Sequence, residues 1–241
     1  MRMHCIGPAV GAALLFAAGA ARADDLALFN AAIEDVAAHN RAAIGYLRTE
    51  NRDLAMVELE QMKDAWGVFA ERFGGNRPAP FRDNKLYLTM LVDVPTRIVT
   101  AMIMVNFGRP DIARNALQAI REEIAAVRRA SGVEVLADCV VDANTAMDAL
   151  FVYRDAPDWA QPATASNIAA KADAYGAAVK RCDAMASAAL RADPAFRRLV
   201  DGVMASLALV PQAIAAHDAD MLQHVIVELR SFDNLLAFRY G

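Results

Sequence analysis

The chain has 241 residues, of which 56% are hydrophobic and only 7% aromatic, and its formal net charge at pH 7 is −4. The first 23 residues include two arginines and no acidic residue, so the remainder has a formal charge of −6. An acidic chain without a basic stripe argues against nucleic acid and against anionic membrane surfaces as partners.

The N-terminal segment has the pattern of a secretory signal peptide. It begins with a basic residue, Arg2, and continues with an apolar run over 9–21. The sequence Ala-Arg-Ala at 21–23 then forms an A-x-A cleavage site. The run is too short to cross a bilayer comfortably, and Cys5 does not lie in a lipobox. We therefore expect cleavage after Ala23 and export to the periplasm, without membrane insertion.

Apolar residues recur at steps of three and four along the remaining chain, which predicts about eight amphipathic helices. In the first half the positions with this spacing, all apolar but Asn40, are Leu26, Phe29, Ile33, Val36, Asn40, Ala43 and Leu47; Leu59, Met62, Trp66, Phe69 and Phe73; Leu91, Val94, Ile98, Ala101 and Val105; and Leu117, Ile120, Ile124 and Val127. In the second half they are Leu136, Val140, Ala143, Met147 and Leu150; Ile168, Ala172, Tyr175, Val179, Cys182 and Ala186; Phe196, Leu199, Val203, Leu207, Val210 and Ile214; and Leu222, Val225, Leu229, Phe232 and Leu236. Pro95 and Pro211 lie inside two of these helices, where we expect a kink, or at Pro95 a new helix.

Two stretches, 91–132 and 199–241, align with each other at offsets of 108 to 109 residues. The matched residues are Leu91 with Leu199, Asp111 with Asp220, Arg121 with Arg230, and Gly132 with Gly241. Any two amphipathic hairpins align to some degree, but here the loops match as well. The alignment predicts an all-α protein of two tandem, duplicated antiparallel four-helix bundles, at 24–132 and 133–241.

Removal of the signal peptide leaves two cysteines, Cys139 and Cys182. They are equally distant from the turn-rich connection between the predicted fifth and sixth helices, so they lie level in an antiparallel hairpin. An oxidising compartment then favours a structural disulfide between them. The alternative is a pair of free buried thiols.

The stretch "HDADMLQH" at 217–224 is the strongest candidate for a metal site. His217, Met221 and His224 would share one face of an unbroken helix, and His with Met is a ligand set for copper. However, seven residues of helix separate the two histidines by about 10.5 Å. Asp218 and Asp220 are also helix-capping residues, and Asp220 with Gln223 fits a capping box. A junction between two helices is therefore the main interpretation, and a copper site the alternative.

His39 is the remaining histidine of the mature chain, and it lies beside Asn40 in the first predicted helix. A histidine on a helical bundle could serve phosphotransfer, but those relays are cytosolic and this chain is predicted to be exported. We expect a solvated or hydrogen-bonded surface histidine instead. Asn40 and Asn144 are interpreted as polar core residues that set helix register.

The segment "LRTENRDLAMVELEQMKDAW" and the final "NLLAFRYG" resemble the cytochrome c-prime superfamily of exported four-helix bundles. In that family the last helix carries Cys-x-x-Cys-His, which binds haem covalently, whereas the ends of both halves of this chain have neither Cys nor His. Relatives with non-covalent haem use an early Met and a late His. Here 24–35 contains no Met, and no His follows His224. The resemblance implies the scaffold without its haem ligands.

No phosphate loop, nucleophile elbow, clustered zinc pattern or Glu-x-x-His di-iron motif occurs. We therefore expect a non-enzymatic periplasmic binding or accessory protein without a cofactor. Its partner, an unknown periplasmic protein or small ligand, would use a groove between the bundles or an exposed helix face. A copper-binding protein is the alternative, and haem binding through other ligands a third possibility.

Overall fold

The computed structural model describes residues 13–155 and 157–241, with side chains from Asp25 onward. The prediction of an all-α fold is confirmed, since this part of the chain is helical and has no strand. The predicted signal peptide, 1–23, lies outside the residues described with side chains. So does Cys5, which belongs to that peptide.

Ten α-helices run through the described chain. They are α1 Ala13–Arg48, α2 Arg52–Phe73, α3 Lys85–Asn106, α4 Pro110–Ala130, α5 Leu136–Phe151, α6 Thr164–Met185, α7 Ala188–Ala192, α8 Pro194–Leu207, α9 Val210–Ala216 and α10 Ala219–Tyr240, with a 3₁₀ turn at Ala79–Phe81. The count exceeds eight by two because the predicted seventh helix is broken into α8 and α9, with Pro211 in the first turn of α9, and because the short helix α7 precedes it. At Pro95 no new helix begins, because α3 continues through it.

Helices α1 to α4, here called the first unit, enclose one hydrophobic core. Helix α1 packs along α2, α3 packs along α4, and α2–α3 and α1–α4 contacts join the two pairs. Five aromatic side chains cluster in this core: Phe29, Phe69, Phe73, Phe81 and Tyr87. Phe29 is at their centre, with its ring centroid 4.4 Å from that of Phe81 and 5.4 Å from that of Phe69. The Tyr87 hydroxyl donates to the Phe73 carbonyl at 2.9 Å, which satisfies the one polar atom of the cluster.

Helices α5 to α10, the second unit, enclose a separate core of mostly aliphatic residues. Helix α5 packs against α6 and α10, and α8 packs against α6 and α10. A disulfide joins Cys139 of α5 to Cys182 of α6 with a Cα–Cα distance of 5.4 Å, which confirms the predicted pairing over two free thiols. Gly202 of α8 lies under the Phe232 ring of α10, where a Cβ atom would be 2.5 Å from the ring Cζ.

The two units contact each other through α4–α5 and α1–α10. A buried ion pair spans this contact, with Arg128 Nη1 at 3.1 Å from Asp138 Oδ1. Burial raises the pKa of Asp138, and the positive charge of Arg128 opposes that shift. Arg41 of α1 donates to the Gly241 carbonyl at 2.7 Å, so the end of α10 is also held by the first unit.

Two segments, Lys85–Asn106 and Pro194–Ala216, are long and apolar enough to cross a membrane by length and composition. Each buries one face in a hydrophobic core. Their length and composition alone are weak evidence for membrane spans.

Candidate functional site

A cavity of about 440 Å³ opens where α1 and α4 of the first unit meet α5 and α10 of the second. Its lining is mostly polar, with three apolar side chains among thirteen residues. The lining residues are Ile44, Arg48, Arg114, Asn115, Gln118, Arg121, Asn144, Asp148, Phe151, Arg230, Asp233, Asn234 and Ala237. Helix periodicity explains this placement: Arg114, Gln118 and Arg121 recur at steps of four and three, so α4 presents all three on one face.

The floor of the cavity is a hydrogen-bonded chain that joins the two units. Arg121 donates to Gln118 Oε1 at 2.9 Å and to Asn144 Oδ1 at 3.0 Å. Asn144 in turn donates from Nδ2 to Asp233 Oδ1 at 2.7 Å. Arg230 Nη1 reaches the other oxygen of Asp233 at 3.1 Å. A single amide, Asn144, therefore connects an arginine of the first unit to a carboxylate of the second.

Arg230 is held in place from two further directions. Its Nη2 lies 2.6 Å from Asp148 Oδ1, and its guanidinium lies over the Phe151 ring at 4.4 Å from the centroid. Stacking and a charge-assisted hydrogen bond together fix the orientation of the group.

Burial dominates the electrostatics of the cavity. It raises the pKa of Asp233 to about 6, against the hydrogen bond from Asn144 and the charge of Arg230, which lower it. Burial also lowers the pKa of Arg121 to about 10. The same cause, followed by repulsion from Arg114, lowers the pKa of Arg48. The cavity therefore holds arginine side chains in buried surroundings that disfavour their positive charge.

The charges lining the cavity do not balance. Four arginines face two aspartates, and both aspartates already pair with Arg230. Within the described residues, Arg48 and Arg114 have no acidic partner at ion-pair distance, and Arg121 Nε is buried without a hydrogen-bond partner. The cavity is therefore a positively charged recess in which Arg48 and Arg114 remain available to an anion.

The predicted metal ligands lie at a helix junction. Helix α9 ends at Ala216, His217 adopts the left-handed conformation with φ 49°, and its ring stacks on Trp159 at 5.2 Å. Asp218 caps α10, because its side chain accepts a hydrogen bond from the Met221 amide at 2.9 Å. The sequence pattern allowed either Asp218 or Asp220 in this role. The junction is as interpreted, so His217 does not share a helix with Met221 and His224.

No cluster of three or more His, Cys, Asp or Glu side chains suited to a metal occurs in the described residues. That observation does not test a mixed His and Met site. The copper hypothesis for His217, Met221 and His224 remains a prediction, which a copper titration of the protein and of a His224→Ala variant would test.

The other polar residues singled out in the sequence have structural partners. His39 Nδ1 is 2.8 Å from Glu58 Oε2, so it is the hydrogen-bonded histidine that was expected. Asn40 is buried and donates to the Leu117 carbonyl at 3.1 Å, which ties α1 to α4. Asn144 belongs to the cavity floor, a role beyond the register setting assigned to it. The arginines of the cavity were missed, although the alignment of Arg121 with Arg230 was a signal for two of them.

Comparison with known proteins gives no match: no protein family, no curated protein and no solved structure is similar to this chain.

Proposed function

We propose that this chain is an exported, non-enzymatic binding protein that holds a small anion in the arginine-lined cavity between its two units. The observation that carries the proposal is the presence of Arg48 and Arg114 in that cavity without acidic partners. Arg121 and Arg230 supply two further guanidinium groups, already oriented by neighbouring side chains.

Arginine suits this task because its planar guanidinium presents two parallel N–H donors that match a carboxylate or a phosphate. Burial and then repulsion from Arg114 lower the pKa of Arg48, and an anion placed between the two arginines would relieve that repulsion. Asn115, Gln118 and Asn234 add neutral donors and acceptors that can orient such a ligand. A cavity of about 440 Å³ is in the size range of small-molecule sites.

The composition of the lining favours binding over catalysis. Its residues include no Ser, Thr, Cys, Lys or His, so the cavity has no ordinary nucleophile. Both carboxylates are engaged by Arg230. The geometry thus supports recognition of a charged molecule.

Export is supported by the signal-peptide pattern of residues 1–23 and by the pairing of Cys139 with Cys182. Disulfides persist in the periplasm and are rare in the cytosol.

We also propose that the two units arose by duplication of a four-helix bundle, and that the cavity lies where the two copies meet. The aligned arginines, Arg121 and Arg230, reach the same pair, Asn144 and Asp233, from opposite units. A duplication would produce this placement, because residues of equal position in the two copies can meet at the surface the copies share.

Isothermal titration calorimetry with inorganic phosphate, succinate and citrate tests the proposal on the purified mature protein. We expect at least one probe to bind, and Arg114→Gln and Arg48→Gln each to weaken it about tenfold or more, since a charge-assisted hydrogen bond contributes roughly 1.5 to 3 kcal/mol. Arg198→Gln, on the exposed surface of α8, removes the same charge and is the matched control. Equal affinity in all four proteins, or no binding of any probe at millimolar concentration, would contradict the proposal.

A further inference from the structure

Asp233 is the buried carboxyl group of the cavity floor. Its exposed fraction is 1%, yet it is one of the residues that line the cavity. Its two oxygens have different partners. Oδ1 accepts from Asn144 Nδ2 at 2.7 Å, and Oδ2 accepts from Arg230 Nη1 at 3.1 Å. A neutral amide therefore holds one side of the carboxyl group, and a cation holds the other.

The hydrogen bond from Arg230 competes with a bound anion. While Nη1 donates to Asp233, that N–H group is not offered to a ligand, and the carboxylate itself repels a second negative charge. Arg230 would nevertheless stay in place if this bond were broken. Its Nη2 lies 2.6 Å from Asp148 Oδ1, and its guanidinium lies 4.4 Å from the Phe151 ring centroid. Two other contacts therefore keep Arg230 at the cavity.

A proton on Oδ2 of Asp233 would remove this competition. The protonated oxygen carries no charge and becomes a donor, so its charge-assisted bond with Arg230 is lost. Oδ1 still accepts from Asn144, so the link between the two units persists. Arg230 Nη1 can then turn to a ligand and add a third guanidinium to those of Arg48 and Arg114. The proton comes from the buffered solvent, and no other bond has to form or break.

The groups that surround Asp233 keep this proton exchangeable near neutral pH. They are Arg48 of α1, Arg114 and Arg121 of α4, Asn144 and Asp148 of α5, Tyr175 of α6, and Arg230 of α10 itself. The residues that α8 and α9 bury are uncharged. Burial outweighs the nearby cations and raises the pKa of Asp233 to about 6. An anion in the cavity adds a negative charge, which raises that pKa further.

We propose that the cavity takes up a proton on Asp233 when it binds its anion, so that its affinity for the anion rises as the pH falls. The inference rests on the proposed anion site and adds the regulation of that site. Coupling between the two ligands is reciprocal: an anion that makes Asp233 easier to protonate is itself bound more tightly once Asp233 is protonated, by the same factor. The lining residues include no histidine, so Asp233 is the group placed to accept the proton.

Calorimetric titration of the mature protein with sulfate tests the coupling, because sulfate keeps its charge between pH 5 and pH 8. Phosphate is titrated in parallel, with its own ionisation subtracted. We expect the dissociation constant to rise about tenfold from pH 5 to pH 8. Titrations at pH 6.5 in two buffers of different ionisation enthalpy should show uptake of about half a proton per anion. These measurements need only the parent protein.

Two matched variants assign the proton. Asp233→Asn and Asp148→Asn each remove one carboxylate partner of Arg230, so the change in charge is the same. Asp233→Asn should bind with the same affinity at pH 5 and pH 8 and take up no proton, whereas Asp148→Asn should keep the pH dependence of the parent.

The possible failures are distinct. If neither sulfate, phosphate, succinate nor citrate binds at any pH, the anion site itself is refuted, and this inference with it. Binding without pH dependence or proton uptake overturns the inference alone. So does a pH dependence that survives in Asp233→Asn or disappears equally in both variants.

Discussion

The two units arrange long helices around a core in similar ways but stabilise those cores differently. The first unit places four aromatic side chains around Phe29. The second unit relies on aliphatic residues and on the disulfide between Cys139 and Cys182. Aromatic rings each bury a large apolar area, whereas a disulfide stabilises chiefly by restricting the unfolded chain. One helical layout thus tolerates two different sources of stability.

The break in the second unit shows why it benefits from a covalent link. The region that corresponds to the continuous helix α3 is divided between α8 and α9, with Pro211 in the first turn of α9. The break removes helical hydrogen bonds and shortens the apolar seam. The cross-link joins α5 to α6, and α6 packs against both α8 and α9.

The largest expected effect comes from Phe29→Ala in the first unit. Loss of the central ring should lower the free energy of unfolding by about 3 to 5 kcal/mol, since both the buried area and the packing of its neighbours are lost. Urea denaturation followed by circular dichroism measures this change. Val152→Ala, which trims an exposed side chain, is the control and should have little effect. A loss below about 1 kcal/mol for Phe29→Ala would show that the aromatic cluster is not the main source of stability.

The Cys139→Ala/Cys182→Ala variant tests the second unit. The two cysteines are 43 residues apart in sequence, and closure of a loop of that length corresponds to about 4 kcal/mol. Hydrogen exchange read out by mass spectrometry should show protection lost first in α5 and α6. If amides of the first unit lost protection to the same extent, the two cores would unfold as one cooperative system. The two units would then not have separate sources of stability.

The carboxyl group of Asp233 makes the stability of the junction depend on pH. Burial raises its pKa to about 6, so the folded protein holds this proton more tightly than the unfolded chain, where an Asp ionises near about 3.9. The stabilisation is fully present below about pH 4 and is lost as the pH rises through about 6, a change of roughly 2 to 3 kcal/mol.

Thermal unfolding between pH 4 and pH 7 measures this contribution. Asp233→Asn should flatten the profile in that window, because the amide does not titrate. A variant whose pH profile matches that of the parent would assign the dependence to another group.

The smallest expected effect concerns helix starts. Asp218 caps α10 through its side chain, whereas α4 begins at Arg109 without a side-chain capping bond. Asp218→Ala should therefore cost about 1 kcal/mol. Asp111→Ala, at the aligned start of α4, should cost measurably less in the same urea titration. Equal losses would mean that the two helix starts are equivalent after all.

Periodicity in the sequence predicted the features that depend on local spacing. The apolar seams lie in the cores, and symmetric placement about a connection identified Cys139 and Cys182 as a pair. The junction at His217 followed from capping residues. Each of these features is set by neighbours three to seven residues apart or by a simple hairpin.

The remaining features depend on contacts that spacing does not encode. Phe81 completes the aromatic cluster from a short 3₁₀ turn, which has no apolar period of its own. The cavity brings Arg48, Arg114 and Arg230 together from three helices, and their placement depends on how the two units meet. Arginines on amphipathic helices ordinarily indicate a solvated face, so nothing in the spacing distinguishes Arg48 and Arg114 from the other surface arginines.

The contact between Gly202 and Phe232 limits how this chain can vary. The ring occupies the space of a Cβ atom, so even alanine would force the Phe232 ring to move. Gly67, on the exposed side of α2, has no atom within 4 Å of such a position and should accept alanine freely. A saturation library should therefore be depleted of nearly every variant at one glycine and permissive at the other. Homologues that lack the glycine at 202 should carry a smaller residue in place of the phenylalanine.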